Sequence, residues 1–232
     1  MRLAAGRSVL DLDGTLHPST LGIVLLQDLI AEGQCNTTEA DRLLSGLNSL
    51  TKEELYEPAT TARIYQRYAA ALKGVPVEVV RQRAEQVWQR EKARMFDFVR
   101  PLLKLLREHR QEVLLVSGSP EPVVRAVAVD LDIPLCHGSV FGVTQGVYSG
   151  SVVDSPLFGA GKARWAETRP PTIAVGDSAA DLPLLEAARH PLPFEPDVAL
   201  TAEATRRGWP IACRDSLLGL VRSALDQTGD GP

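Results

Sequence analysis

No apolar run in this sequence approaches the ~20 residues needed to cross a bilayer; even 21–30 is broken by Gln27 and Asp28. Arg2 and Arg7 stand near the start, but Asp11 and Asp13 interrupt the apolar stretch behind them, so no export signal is expected there. Cysteine is scarce as well. Cys35, Cys136 and Cys213 are odd in number, far apart and fit no zinc spacing such as C-x-x-C. They read as bystander thiols of a reducing cytosol. Nor is there an excess of one charge: 25 Lys and Arg are interspersed with 29 Asp and Glu, for a formal net charge of -4. Such a balance creates no long-range field to gather nucleic acid or an anionic membrane. A cytoplasmic protein with neither partner is expected, and no internal repeat is visible.

What is present suffices for a folded chain. With 232 residues, 44% of them hydrophobic and 23% charged, one substantial core and a smaller domain can form. Residues 8–12 read as a short buried strand running into the turn-forming Gly14. From 21 to about 96 the pattern is helical, with helices expected over 21–32 (stopped by Gly33), 61–73 (stopped by Gly74) and 78–96. Thr51 and Glu54 form a capping box ahead of Leu55. Beyond this block strands and helices alternate. Expected are a helix over 102–109, a strand over 112–116, a helix over 121–129, a strand over 136–141 and a hairpin over 143–153 with Gly146 and Gly150 at its bends. A helix over 161–168, a strand over 172–175, a helix over 180–188 and a strand over 192–194 follow, and the tail after Gln227 reads as disordered. Alternation of this kind implies an α/β fold, a parallel sheet covered by helices, with the helical block inserted after the first strand.

Four short stretches carry chemistry. In Asp11-Leu12-Asp13-Gly14-Thr15 two carboxylates two residues apart leave the carboxyl end of a buried strand on the same side. Open parallel sheets bind ligands at such ends, and adjacent carboxylates repel unless a cation lies beside them. Val116-Ser117-Gly118-Ser119 places a hydroxyl and a glycine at a strand-to-helix turn, where exposed N–H groups suit a phosphate. Lys162 follows Gly161 near a helix start; Ala163 stands where a P-loop has Ser or Thr, so that reading fails, and alone Lys162 reads as a solvated surface lysine. In Val175-Gly176-Asp177-Ser178-Ala179-Ala180-Asp181 a strand ends at one carboxylate and a second follows one turn later; alone, Asp177 could equally be an N-cap.

The order decides between these readings. DLDGT, VSGS, GK and GDSAADL, each at an expected strand end or helix start, resemble the four motifs of the haloacid dehalogenase superfamily across about 9–210. The resemblance implies a doubly wound, parallel-sheet (Rossmann-like) core built from 1–15 and 98–232, with a small helical cap over 16–97. It implies a phosphatase for a small phosphorylated metabolite, monomeric or homodimeric. Asp11 would be the nucleophile that becomes an aspartyl phosphate, and Asp13 the acid and then the base. Magnesium would lie among Asp11, the main-chain carbonyl of Asp13 and Asp177, an all-oxygen set suited to that ion. Ser117, Gly118 and Lys162 would hold the phosphoryl oxygens, while Asp181 supports the metal shell and orients Lys162. Transfer to an alcohol instead of water, or phosphate binding without catalysis, are the alternatives.

Within the superfamily, Asp13 argues against carbon–halogen hydrolysis, because a halide needs no proton. The helical block, SGSPEPVV, Tyr148-Ser149-Gly150 and Pro196-Asp197 with Gly208-Trp209-Pro210 resemble the phosphoserine phosphatase-like branch. Thr20, however, stands where enzymes acting on phosphoserine carry a glutamate, so phosphoserine is not favoured. Arg63, Arg67, Arg81, Arg83, Arg90 and Arg94 are candidates to bind a substrate carboxylate or second phosphate. His17 is expected at the substrate entrance or on a solvated flap, Trp88 and Met95 in the cap core, and hinges near Leu16 and Asp97.

Overall fold

The computed structural model describes residues 6–157, 161–165 and 169–229. Six strands form one sheet: β1 (Gly6–Leu10), β2 (Gln111–Pro120), β3 (Leu135–Thr144), β4 (Val147–Asp154), β5 (Ile173–Gly176) and β6 (His190–Pro193). Their order is β4-β3-β2-β1-β5-β6, and every pair is parallel except the β3–β4 hairpin at the edge. The chain winds outward from β1 through β2 and β3, then returns to the other side of β1 for β5 and β6. The β1–β5 junction is therefore a topological switch point, where a crevice opens at the carboxyl ends of the strands.

Period-two alternation sorts the strand residues between two cores. Leu10, Val113, Leu115, Ile173 and Val175 join a large cluster with Leu102, Leu106, Val123, Val127 and Val221. These come from α6 (Val99–Glu108), α7 (Glu121–Asp130) and α10 (Leu217–Gly229). Val9, Leu114, Val116 and Ala174 point to the other face. There they meet Leu184 and Leu185 of α8 (Leu182–Ala187) and Leu200 of α9 (Val198–Arg207). Each fully buried leucine contributes about 1.5–3 kcal/mol relative to exposure, which fixes strand register around the crevice.

Between β1 and β2 the chain forms α1 (Leu21–Ala31), α2 (Thr37–Leu47), α3 (Lys52–Leu55), α4 (Pro58–Leu72) and α5 (Val77–Glu91), then a 3₁₀ turn over Lys92–Arg94. Gly33 and Gly74 end α1 and α4 with φ of 63° and 82°, as the sequence leads one to expect. Thr51 and Glu54 cap each other reciprocally at 2.8 and 3.2 Å. The block docks on the hairpin through backbone bonds, Gly74 N to Tyr148 O at 2.8 Å and Tyr148 N to Val75 O at 2.9 Å. The two connections to the sheet lie side by side, with Phe96 N donating to Leu16 O at 3.1 Å.

Several local expectations change. The 161–168 helix is a 3₁₀ turn over Gly161–Trp165, and 166–168 lie outside the described residues. The 180–188 helix splits into a 3₁₀ turn, Ala179–Asp181, and α8, because Asp181 turns its side chain back onto its own loop. The hairpin reverses at Gln145 and Gly146, both with positive φ, as two-residue turns require; Gly150 lies inside β4 rather than at a bend. The tail is helical to Gly229, and 230–232 are outside the described residues. His17 is neither entrance nor flap. It is fully buried, its Nδ1 accepts from Ser19 N at 3.1 Å, its Nε2 lies 3.1 Å from Glu91 O, and its ring meets Trp88 edge-on. The residue therefore ties the two connecting segments together.

Candidate active site

β1 and β5 deliver their carboxylates to the switch point side by side. Asp11 N donates to Val175 O at 3.0 Å, so the residue after β1 and the end of β5 are in register. Gly14 then turns the chain with φ 89°; a Cβ there would lie 2.2 Å from Asp177 Oδ2, so only glycine lets the two loops approach. Thr15 Oγ1 donates to Asp177 Oδ1 at 3.1 Å. From the other side Lys162, only 3% exposed, donates to Asp11 Oδ1 and, at 2.6 Å, to Asp181 Oδ1. The surface-lysine alternative is thereby overturned: a charge this deeply buried needs partners, and it has two.

Asp13 turns toward β2. Its Oδ2 accepts from Ser117 Oγ and Ser119 Oγ, both at 2.7 Å, and its Oδ1 accepts from Leu21 N at 2.7 Å. Ser119 was legible only as part of VSGS, yet it also accepts from Gly22 N at 2.8 Å and so joins β2, Asp13 and α1. Gly118 lies under the helical block: Tyr65 of α4 donates its hydroxyl to Gly118 O at 2.7 Å, and a Cβ on Gly118 would lie 2.6 Å from that hydroxyl. All seven residues picked from the sequence, Asp11, Asp13, Ser117, Gly118, Lys162, Asp177 and Asp181, thus lie around one crevice.

Carboxylate oxygens of Asp11, Asp177 and Asp181 lie within 4.8 Å of one another. Asp181 is committed, with Oδ1 on Lys162 and Oδ2 accepting from Asp177 N, Ser178 N and Ser178 Oγ at 3.1 Å each. Asp11 and Asp177 keep acceptor capacity toward the crevice. Two buried carboxylates and the half-buried Asp177 against one ammonium leave an excess of negative charge, and the site shows it. Burial, then the neighbouring aspartates, hold the Asp11 carboxyl well above its ordinary range in spite of Lys162. Burial and Asp181 push Asp177 up to about 7. Burial alone would lower Lys162; Asp11 and Asp181 outweigh it and raise the ammonium. An all-oxygen donor set with surplus negative charge fits a hard divalent cation.

This charge surplus has a pH signature. Asp177 ionises near 7 in the metal-free fold but near 3.8 when exposed. The stability it contributes is full below the lower value and is lost as pH rises through the upper one. The metal-free protein is expected to melt at a lower temperature at pH 8 than at pH 5, with Mg²⁺ narrowing the difference; equal melting temperatures without metal would contradict the crowding of these carboxylates.

The crevice opens into a cavity of about 450 Å³ walled by α1, α2, α4 and the α3 region. A wider groove of about 1140 Å³, between α5, α7 and the hairpin, holds none of the site aspartates near the lysine. None of the six candidate cap arginines lines the cavity. Arg81 pairs with Glu78 and Glu85, Arg83 and Arg90 with Asp28, and Arg94 with Glu91, all on helix surfaces.

Fold and site together define a doubly wound α/β protein with an acidic, cation-seeking crevice at its switch point. A family model of haloacid dehalogenase-like hydrolases matches residues 9–186, and the chain belongs to that family. A Mycobacterium tuberculosis protein described as a probable phosphatase is 32% identical over 133 residues, 50% of this chain and 46% of that protein. Histidinol-phosphatase of Neisseria meningitidis is 27% identical over 139 residues, 49% of this chain and 58% of that protein. The chain spans about half the length of the curated relatives it matches. Among solved structures, a Bordetella pertussis protein of unknown function aligns with a TM-score of 0.72 at 20% identity, over 88% of this chain and 96% of that one. A phosphoserine phosphatase solved as an analogue of its phospho-aspartyl intermediate aligns at 0.65 and 17%, over 91% and 93%. At such identities the likeness is one of fold. Among the described residues no helix is long and apolar enough to cross a membrane.

Proposed function

We propose that the protein is a Mg²⁺-dependent phosphatase that hydrolyses a small-molecule phosphomonoester through an aspartyl phosphate on Asp11. The observation that carries this reading is the buried Lys162, shared between Asp11 and Asp181 at one end of the cavity. The lysine points a fixed positive charge at the place where a phosphoryl group would meet Asp11. In the first step an Asp11 carboxylate oxygen forms a bond to phosphorus, the ester P–O bond breaks, and Asp13 gives the leaving alkoxide its proton. In the second, water attacks phosphorus, Asp13 takes its proton, and the bond to Asp11 breaks to release inorganic phosphate and the free carboxylate. Ser117 would rotate its hydroxyl from Asp13 to a phosphoryl oxygen, a turn about one bond, and Gly118 N–H would face another oxygen. Mg²⁺, held by Asp11, the carbonyl of Asp13 and Asp177, would neutralise the charge that otherwise keeps one anion from another. Asp181 keeps Lys162 in place.

We assign the core to 1–15 and 98–232 and the cap to 16–97, since α1–α4 roof the crevice, with α5 packed against α1, while β1 and β2 run beneath it. The test is release of inorganic phosphate from a panel of small phosphomonoesters with Mg²⁺ and with a chelator. Release that needs the metal is the expected result. Release unaffected by chelation would remove the metal from the scheme, and a phosphorylated acceptor alcohol in place of free phosphate would make the protein a transferase.

A further inference from the structure

The described wall of the cavity holds almost no charge. Among its described lining residues the carboxylates and ammonium are those of Asp11, Asp13 and Lys162, all at the phosphoryl end. Away from that end the surface is made by Ile23, Leu44, Leu47, Leu55 and Ile64 together with the rings of three tyrosines. Two of those tyrosines have already used their hydroxyls, Tyr65 on Gly118 O at 2.7 Å and Tyr68 on Gly22 O at 2.8 Å, while Tyr56 sits beside Ser178. Burial raises all three phenols, so they stay neutral. Tyr65 and Tyr68 present faces, not donors, to whatever fills the space. Two carboxamides, Gln27 and Asn48, and the hydroxyls of Thr20 and Tyr56 are the polar groups that remain, since Thr61 donates its own to Leu55 O at 2.9 Å.

A ligand carrying an ammonium, a carboxylate or a second phosphate would leave that charge against leucine and tyrosine with no counter-ion, which disfavours its binding. A hydrocarbon or aryl group would gain from the same wall. We infer that the alcohol released by this enzyme is uncharged and largely apolar, branched or aromatic, with at most one or two neutral hydrogen-bonding groups for Gln27 and Asn48. The volume of about 450 Å³ suits a small organic ligand. This inference rests on the phosphatase reading and narrows it to a substrate class.

The test compares kcat/KM of the Mg²⁺-loaded full chain for benzyl phosphate, 3-methylbutyl phosphate, phosphoserine and glycerol 3-phosphate. All four release primary alcohols, so differences report the cavity more than the leaving group. The two apolar esters are expected to be preferred by at least about 10-fold. Leu44→Arg, at a half-buried position of α2, should cut the benzyl ester by about 10-fold or more and raise phosphoserine. Thermal melting checks that the variant folds, and Leu47→Arg repeats the test one turn along should it not. Equal or greater turnover of phosphoserine by the native protein would overturn the substrate class and leave the phosphatase intact. Failure to release phosphate from any of the four, or from acetyl phosphate, would remove the phosphatase reading and this inference with it.

Discussion

Replacing Asp11 with asparagine is expected to lower phosphate release by at least about 10⁴-fold, the scale of loss when a covalent nucleophile is removed from a site whose other groups stay in place. The substitution preserves shape and leaves an amide oxygen for Lys162, but that oxygen cannot attack phosphorus. Stability should move the other way. Asp11 is buried beside Asp177 and Asp181, and these surroundings hold its carboxyl well above the usual range. A neutral amide relieves that crowding, so the metal-free variant is expected to melt no lower than the native protein. A variant keeping a tenth of the native rate would place the nucleophile elsewhere. A fall of roughly 5 °C or more, about 1–2 kcal/mol for a chain of this size, would mean that the bond to Lys162 outweighs the repulsion.

The parts of the site that were legible in the sequence are those set by short-range geometry. Asp11 and Asp13 declare themselves by i, i+2 spacing at the end of an apolar strand, and Asp177 with Asp181 by a carboxylate one turn after a second strand. The pairings that fix their chemistry run between residues far apart in the chain. Ser119 holds Asp13 across 106 positions, Thr15 reaches Asp177 across 162, and Lys162 reaches Asp11 across 151. No local pattern encodes such pairings, which is why Lys162 alone read as a surface residue. His17 misled for the opposite reason: a polar residue close behind Asp11 and Asp13 invites a solvent-facing reading, whereas Ser19 and Glu91 satisfy its nitrogens inside the core.

The unread helices fall between these cases. α2 carried a signal, since Asn36 Oδ1 accepts from Glu39 N at 3.2 Å, but it fully buries only Ala40 and Leu43, too thin a stripe to stand out. α9 is capped by Asp197 and closed by Gly208 with φ 68°, both recognisable residue types. The six cap arginines were equivalent in sequence. Only the packing of α1 against α5 shows that Asp28 takes up Arg83 and Arg90, and none of the six is among the described residues that line the cavity.

Lys162→Met should be the most damaging single change to the metal-free fold. The ammonium is the cation that touches both Asp11 and Asp181, and all three side chains are at most 5% exposed. Methionine fills the space but leaves two buried carboxylates without a counter-charge, a loss of about 3–5 kcal/mol. That loss corresponds to a fall of roughly 6–20 °C in melting temperature at this chain length. Because Asp11 already binds its proton more tightly folded than unfolded, protonation can offset the missing ammonium at low pH. The deficit is therefore expected to be small near pH 5 and to grow as pH rises. Asp11→Asn in the Lys162→Met background removes one of the stranded charges and should recover much of the lost stability, a strongly non-additive double-mutant cycle. Activity is expected not to return, because the double variant lacks both the proposed nucleophile and the proposed phosphate ligand. Additive losses would mean that the lysine and the aspartate act independently. In that case the shared ammonium would no longer support placing the phosphoryl group between Lys162 and Asp11.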